Sequence, residues 1–249
     1  RPRITTIKDD RTSKMLGSCP SVYRSSRSIM VAVYLMVSMF GAPGRIHMDD
    51  VKDYRSKVLN GQTRKVRVVN EDGFEEESYV HLHGAFSMLG CDVTFSEPYH
   101  GQSKGRQERT FGTFAEYFAK ETGTYVGSNT VARHEDTQLF YRALNGKAKR
   151  RDVYQWDDFV RGFGRFVDWW NGSWRGQGKG MDGRTPDEVF ASLAGQPRTI
   201  DPETLALSLT KPEVRRVREN GVRVGGVDYW AQELFEYSGT DVVVRLPLG

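Results

Sequence analysis

Two acidic residues have the surroundings of a site that binds a metal ion and handles phosphate. Asp49 closes a short predicted strand, residues 45–48, in which apolar and polar residues alternate. Glu108 lies in a helix that we expect to begin near Ser103, close to three cations: Lys104, Arg106 and Arg109. Carboxylate oxygens are suitable ligands for Mg²⁺ or Mn²⁺, and lysine and arginine side chains bind phosphate groups. Both acidic residues are therefore candidates for catalysis and metal binding.

The helix around Glu108 has two predicted faces. Phe111, Ala115 and Phe118 follow Glu108 at helical spacing, so we expect Glu108 at the edge of a face that packs toward a core. A second, polar stripe consists of Arg106, Arg109 and Thr113.

An alternation of strands and helices must position these two residues. The apolar run at residues 29–40 is too short to span a bilayer, and it predicts a helix buried on nearly all sides, capped by Ser25 or Ser28. The other predicted elements are strands at 4–7 and 14–17 around a turn at 9–13, a polar loop at 51–73, a helix at 79–89 and a strand at 91–95. This order predicts a mixed α/β sheet.

The two acidic segments resemble the DDE transposase and retroviral integrase superfamily, and within it the phage Mu-type transposases. The resemblance rests on the strand end at Asp49 and on the run Pro-Tyr-His-Gly-Gln-Ser-Lys-Gly-Arg-Gln-Glu-Arg at residues 98–109, and it extends over nearly the whole chain. It implies a ribonuclease-H-like mixed sheet with helices, followed by a small β-barrel. It also implies cleavage of donor DNA ends and strand transfer, with two Mg²⁺ or Mn²⁺ ions about 3.5–4 Å apart.

The resemblance implies two domains, which meet near the segment Gly-Gln-Pro at 195–197. Residues 1–195 correspond to the catalytic core and residues 205–249 to the β-barrel. In that family the first catalytic Asp lies on a strand before the present hairpin, so we expect that Asp and its strand upstream of Arg1. Asp9 and Asp10 are the alternatives, but an aspartate in a hairpin usually hydrogen-bonds its own turn. Asp50 stands where relatives often have Asn, and its charge either tightens metal binding or marks a degenerate site.

Nucleic acid is the partner that the charge pattern favours. The formal net charge is +4 and the isoelectric point is about 9.0, a mild preference for a polyanion. A basic cluster is predicted to contact backbone phosphates, with a solvated linker as the alternative; it consists of Lys147, Lys149, Arg150 and Arg151. The resemblance adds double-stranded DNA of transposon ends and target, a homo-oligomer on that DNA, and an AAA+ ATPase activator.

Composition and cysteine use describe a globular protein of a reducing compartment. The 249 residues are 27% charged and 12% aromatic, which is typical of folded domains. Cys19 and Cys91 lack metal-site spacing and predict a cytoplasmic protein without a disulfide framework. The histidines do not supply three convergent ligands for zinc, so we expect surface or supporting roles for His47, His81 and His83.

The second half of the chain carries structural signals. Residues 156–170 predict an amphipathic helix whose stripe consists of Trp156, Phe159, Val160, Phe163 and Val167. Thr185, Pro186 and Glu188 form a capping box. Alternation from about Leu205 predicts a hairpin with a turn at Asn220-Gly221, and arginines give this region a basic side: Arg215, Arg216, Arg218 and Arg223.

Two other functions compete with a transposase. A non-catalytic, DNA-binding transposase fragment or repressor would describe a chain that lacks the first Asp. A ribonuclease-H-like nuclease would act by hydrolysis, but a basic barrel after the core argues against it, because simple hydrolysis needs no added DNA contacts.

Overall fold

The computed structural model describes residues 2–23, 25–50, 52–70, 74–96, 105–119, 145–146, 155–178, 180–193 and 195–247. The chain is mixed α/β, as predicted. Its elements, in chain order, are β1 (Arg3–Lys8), β2 (Met15–Ser21), α1 (Ser26–Phe40), β3 (Arg45–Met48), α2 (Lys57–Asn60), β4 (Gln62–Val69), β5 (Glu75–Leu82), α3 (Ala85–Met88), β6 (Asp92–Phe95), α4 (Gly105–Phe114) with a π-helical turn (Ala115–Ala119), α5 (Trp156–Gly172), α6 (Pro186–Leu193), α7 (Pro202–Ser208), β7 (Thr210–Arg216), β8 (Gly221–Val224), β9 (Val227–Trp230), a 3₁₀ helix (Gln232–Tyr237) and β10 (Asp241–Pro247).

Contacts divide the chain into two compact units. The first unit comprises Arg1–Val22 and Pro98–Gln196, and the second comprises Tyr23–Glu97 and Pro197–Gly249. Within the described ranges the strands pair two by two, in five two-stranded sheets. The ribonuclease-H-like sheet, the closed barrel and the division into domains 1–195 and 205–249 stay predictions.

The first unit begins with the predicted hairpin. Strands β1 and β2 pair antiparallel, with Arg3 opposite Ser21 and Ile7 opposite Gly17. In the turn, the Asp9 carboxylate accepts a hydrogen bond from the Thr12 N–H at 2.7 Å, and the Asp9 carbonyl accepts one from the Ser13 N–H at 2.9 Å. Asp9 therefore forms the turn, as expected for an aspartate at this position.

Helix α5 supplies the core of the first unit. Phe163, Phe166 and Trp170 are buried together with Met15 of β2. The Trp170 indole N–H donates to the Ser13 carbonyl at 2.9 Å, which fixes the helix against the hairpin. The predicted stripe was partly wrong, since Trp156 and Val160 are exposed. Val160 lies at the edge of the face that carries Phe163, Phe166 and Trp170, and Trp156 is the first residue of the helix, two turns before the first of these buried aromatic residues.

The capping box at the start of α6 is confirmed. The Glu188 N–H donates to the Thr185 hydroxyl at 3.2 Å, and the Glu188 carboxylate accepts from the Thr185 N–H at 2.8 Å. Two main-chain donors at the helix N-terminus are thereby satisfied.

The second unit contains a parallel strand pair. In β3 and β6, Arg45 lies opposite Asp92 and Met48 lies opposite Phe95. Helix α1 precedes β3 and is capped by the Ser25 hydroxyl, which accepts from the Ser28 N–H at 3.4 Å. The expectation of burial on nearly all sides was wrong, because one face of α1 is exposed: Val31, Tyr34, Leu35 and Met39. Each helix in the described ranges is either too short or too polar to span a lipid bilayer.

A hairpin occupies part of the predicted loop at 51–73 and part of the predicted helix at 79–89, of which residues 85–88 are helical. Strands β4 and β5 pair antiparallel from Gln62–Leu82 to Val69–Glu75, and α3 is only one turn long. Strand β4 offers β5 a pairing partner, which the helix propensity of residues 79–89 alone does not reveal. Gly84, which directly precedes α3, lies where the chain passes close to Gly61. A Cβ at Gly84 would lie 2.3 Å from the Gly61 nitrogen, so the two segments leave no room for a side chain.

The C-terminal segment is a small β structure after one helix. Residues 202–208 form α7, so strand alternation begins later than Leu205. Strand β7 pairs with β10, and β8 pairs with β9 through a turn at Gly225 and Gly226, whose φ angles are +58° and +85°. The turn predicted at Asn220-Gly221 lies one residue earlier, with reciprocal main-chain bonds between Arg218 and Gly221 and φ +57° at Glu219. A core lies between these strands: Val217, Val222 and Val224, packed by Leu234, Val242, Val244 and Leu246.

Candidate active site

Asp49 lies at the carboxyl end of the parallel pair β3–β6, in the second unit. It directly follows Met48 and is half-buried. Ser96 occupies the corresponding position after β6, and its N–H donates to the Met48 carbonyl at 2.8 Å. The two strand ends are thereby held together. Ligands bind at the carboxyl ends of parallel strands in many α/β proteins, and this edge is the natural place for a reactive carboxylate.

His47 connects the two strands next to Asp49. Its Nδ1 lies 3.0 Å from the Thr94 hydroxyl and its Nε2 lies 3.1 Å from the Ser96 hydroxyl. Both ring nitrogens are thus occupied by hydroxyl groups of β6 and its end, which fits a supporting role for this histidine. His81 and His83 contact each other edge to face, with ring centroids 5.0 Å apart.

Asp50 is engaged by an arginine that sequence reasoning did not single out. The Arg55 guanidinium forms an ion pair with the Asp50 carboxylate, and its central carbon lies 4.5 Å from the centre of the Phe95 ring. The hydrogen bond and charge of Asp50 raise the pKa of Arg55 above its ordinary value. The five-residue spacing between these partners spans a turn, and no helical or strand period links them in the sequence.

The described residues hold no group of three or more His, Cys, Asp or Glu side chains placed to bind one metal ion. Asp49 lies in the second unit and Glu108 in the first. As single donors, both fit a hard cation such as Mg²⁺, because each offers carboxylate oxygens that are not fully buried.

Glu108 lies in the first turn of α4, and its side chain is exposed. The expectation that it borders the packed face was wrong. The side chains that face the core of the first unit are Thr110, Phe114 and Phe118, spaced by four residues. The Lys8 ammonium donates to the Thr110 hydroxyl at 2.5 Å and fixes this face to β1. Glu108 therefore points away from the core, where a carboxylate near a helix N-terminus is favourable.

The predicted DNA-binding residues are only partly described. Arg109 is exposed on α4, and its Nε donates to the Gly105 carbonyl at 3.1 Å. Arg106 lies in the same helix, although its side chain is outside the description. The remaining candidates lie outside the described residues: Lys104, Lys147, Lys149, Arg150 and Arg151.

The arginines of the C-terminal segment are largely paired with acidic groups. Arg215 contacts Glu213, Arg216 lies 2.6 Å from Glu75, and Arg223 lies 3.8 Å from Asp228. A hydrogen bond from Lys211 lowers the pKa of Glu213, with Arg215 adding to the effect. The basic side predicted for this segment is therefore partly neutralised within the chain.

Comparison with known proteins finds a family match in the C-terminal segment. Residues 206–247 match the family model of the Mu transposase C-terminal domain. No curated protein matches the chain in sequence. Among solved structures, the chain is similar to a chain of the simian T-cell lymphotropic virus intasome, determined by cryo-EM in complex with PP2A regulatory subunit B56 gamma. The identity is 13% and the TM-score 0.42, and the match covers 92% of this chain and 65% of that chain.

This chain thus spans 65% of the length of the intasome chain that it matches. The family match coincides with strands β7 to β10 and their small core. Residues 206–247 match the Mu transposase C-terminal family, and this match confirms the predicted resemblance to phage Mu-type transposases in that segment of the chain.

Proposed function

We propose that this chain is part of a DNA transposase that performs metal-dependent phosphoryl transfer, in donor end cleavage and strand transfer. The observation that carries the proposal is the transposase family match of residues 206–247. The same chain carries Asp49 directly after β3, at the carboxyl end of a parallel strand pair. A strand end of this kind fixes the main chain and leaves the carboxylate at the edge of the sheet.

The proposed chemistry needs carboxylates of the type that Asp49 and Glu108 supply. Mg²⁺ or Mn²⁺, as a pair of ions, would activate the attacking oxygen and stabilise the leaving oxygen at phosphorus. Asp49 would hold the metal from the strand edge, and the fixed position of Met48 against Ser96 limits how far this carboxylate moves. Glu108, exposed on α4, would hold one of the two ions.

Cationic side chains would position the DNA. Arg109 is exposed on α4 and would contact a phosphate of the DNA backbone. Lys104, Arg106 and the cluster at 147–151 would add contacts to the backbone without reading its sequence. The expected partners are transposon ends and target DNA, a second copy of the protein on the paired ends, and an AAA+ ATPase activator.

A second candidate is a DNA-binding transposase fragment without catalysis. The observation that favours it is the place of the family match, residues 206–247, which contains neither Asp49 nor Glu108. Such a protein would occupy transposon ends and repress their use. A ribonuclease-H-like nuclease is the weaker alternative, because the transposase family match lies in a segment that hydrolysis alone does not need.

Strand transfer from a pre-cut, labelled transposon end into plasmid DNA, followed with Mg²⁺ or Mn²⁺, separates these functions. A transposase joins the labelled 3′ end to the target. A repressor shifts the labelled end in a gel but leaves it unjoined with either ion. A nuclease releases short fragments and joins nothing. The assay uses the full-length gene product, with EDTA as the control for metal dependence.

A further inference from the structure

The aromatic residues of the C-terminal segment lie outside its core. That core is aliphatic, since its buried members are valines packed by further valines and leucines. The four aromatic residues of the stretch 202–247 are on the surface instead, 52% to 70% exposed: Tyr229, Trp230, Phe235 and Tyr237. Aromatic side chains supply much of the buried area of most cores, and a group of them left on the surface marks a place where another molecule binds.

Trp230 lies on the face of the β8–β9 hairpin that points away from the buried Val222 and Val224. Its partner across the hairpin is Gly221, which has no side chain to cover the indole. The main-chain groups of Gly221 are bonded to Arg218, with N–O distances of 2.9 and 3.0 Å. The Trp230 N–H and C=O therefore face the other edge of β9, and the described strands pair β9 with β8 alone. An open strand edge beside an exposed indole is suited to bind an extended peptide.

The charge of this surface is negative. Residues 227–237 contain three carboxylates and neither lysine nor arginine. Asp228 lies 3.8 Å from Arg223, whereas the ion pairs between described residues do not include Glu233 or Glu236. Carboxylates elsewhere in the second unit are paired with cations, as in Glu75–Arg216 and Glu77–Lys65. The unbalanced carboxylates of 227–237 repel the phosphates of DNA and attract a cationic partner.

We propose that β9 and the 3₁₀ helix, residues 227–237, form a docking surface for an extended, arginine- or lysine-rich segment of a partner protein. The segment adds along the open edge of β9 by main-chain hydrogen bonds. One of its cations lies over the Trp230 indole, because a cation is attracted to an aromatic face. Glu233 and Glu236 supply the opposite charge. The inference goes beyond the proposed function, since it concerns a protein partner and depends on neither catalysis nor DNA binding.

The test is the binding of a fluorescein-labelled peptide to the full-length gene product, followed by fluorescence anisotropy. In the probe, about ten residues long, arginine alternates with threonine, which favours an extended conformation. The control peptide carries citrulline, a neutral analogue of arginine, at the same positions. We expect the arginine peptide to bind and the citrulline peptide to bind on the order of tenfold more weakly, because it lacks the charges that the surface attracts.

Variants locate the binding surface. Trp230→Ala should weaken binding of the arginine peptide on the order of tenfold, since aromatic anchors carry much of the binding energy of such surfaces. Glu233→Gln combined with Glu236→Gln should weaken it roughly three- to tenfold. Glu76→Gln is the matched control, because Glu76 is an exposed glutamate of β5 outside this surface, and it should change the affinity less than about twofold.

A gain of binding excludes a simple folding defect. Glu233→Lys combined with Glu236→Lys should reverse the preference, so that a peptide of alternating glutamate and threonine binds better than the arginine peptide. Absence of this reversal would contradict the assigned role of the two carboxylates. Circular dichroism of each variant verifies that the hairpin is intact.

Four results would overturn the proposal. The arginine peptide does not bind, or it binds no better than the citrulline peptide. Glu76→Gln weakens binding as much as the paired variant of Glu233 and Glu236 does. Sedimentation shows a dimer that Trp230→Ala dissociates, which would assign the surface to a second copy of the chain. A DNA duplex displaces the peptide and binds Trp230→Ala less tightly than wild type, which would assign the surface to DNA.

Discussion

The main-chain N–H of Arg67, on strand β4, donates a 2.8 Å hydrogen bond to the carboxylate of Asp241, the first residue of β10. A second contact joins the same parts of the chain, since Arg216 of β7 lies 2.6 Å from Glu75 of β5. Both contacts lie within the second unit. They attach the β4–β5 hairpin to the segment that matches the Mu transposase C-terminal family.

Asp241→Ala should loosen this attachment. The main-chain donor of Arg67 loses its acceptor, and a hydrogen bond of this kind contributes about 1 kcal/mol. We expect the Arg67 amide to exchange with solvent roughly fivefold faster, measured by hydrogen exchange and NMR or mass spectrometry. Asp228→Ala is the control, because Asp228 is an exposed aspartate that contacts only Arg223 in the ion pairs described for it. Equal exchange in both variants would contradict the attachment.

Phe166→Ala should destabilise the first unit strongly. Phe166 is fully buried and contacts Phe114, Phe163 and Trp170, so truncation removes packing and leaves a cavity. We expect a loss of about 3–5 kcal/mol in the free energy of unfolding, measured by urea denaturation. Phe235→Ala serves as the matched control, since Phe235 is 70% exposed and its loss should cost less than about 0.5 kcal/mol. Similar costs for the two variants would show that the described core is wrong.

Thr185→Ala should weaken the start of α6. The variant loses the hydroxyl that accepts from the Glu188 N–H, and the expected loss is about 1 kcal/mol of unfolding free energy. Thr185→Ser keeps the acceptor oxygen and should retain most of this stability. The comparison is made by thermal and urea denaturation, and equal destabilisation by Ala and Ser would assign the effect to the buried methyl group instead of the cap.

Cys91 should react slowly with alkylating reagents. Burial raises the pKa of the Cys91 thiol, and the nearby Arg198 offsets the effect only in part. A raised pKa means less thiolate at a given pH, and the thiolate is the reactive form. At pH 8, iodoacetamide should modify Cys91 on the order of tenfold more slowly than the half-buried Cys19, as read by peptide mass spectrometry. In denaturant the two rates should converge; a difference that persists there would not come from the fold.

The elements that carry strong local signals were predictable from the sequence. The hairpin turn at Asp9 and the Ser25 cap each depend on neighbours within a few residues. The capping box at Thr185 is of the same kind. Such signals act through the local main chain, and the surrounding structure does not change them.

The errors arose where distant partners decide the structure. Residues 75–82 form a strand because β4 pairs with them, and their own composition does not show this. Glu108 was expected beside a packed face, but α5 packs on Phe114 and thereby selects the face that carries Thr110. The Asp50–Arg55 pair depends on a turn and on Phe95 of β6, so no sequence period reveals it.

We propose that the carboxylates of Asp49 and Glu108 catalyse strand transfer. The most direct measurement compares joining of a pre-cut transposon end by wild type, Asp49→Asn and Glu108→Gln in the full-length gene product, with DNA binding measured in parallel. The controls are Asp92→Asn, at the opposite end of the β3–β6 pair, and Glu116→Gln. Glu116 is exposed in the π-helical turn that follows α4. We predict that joining falls at least a hundredfold in Asp49→Asn and Glu108→Gln, roughly the loss expected when a group that stabilises the transition state is removed. Joining is kept in the two controls, and DNA binding is unchanged in all four variants. Joining that survives both substitutions would contradict the claim.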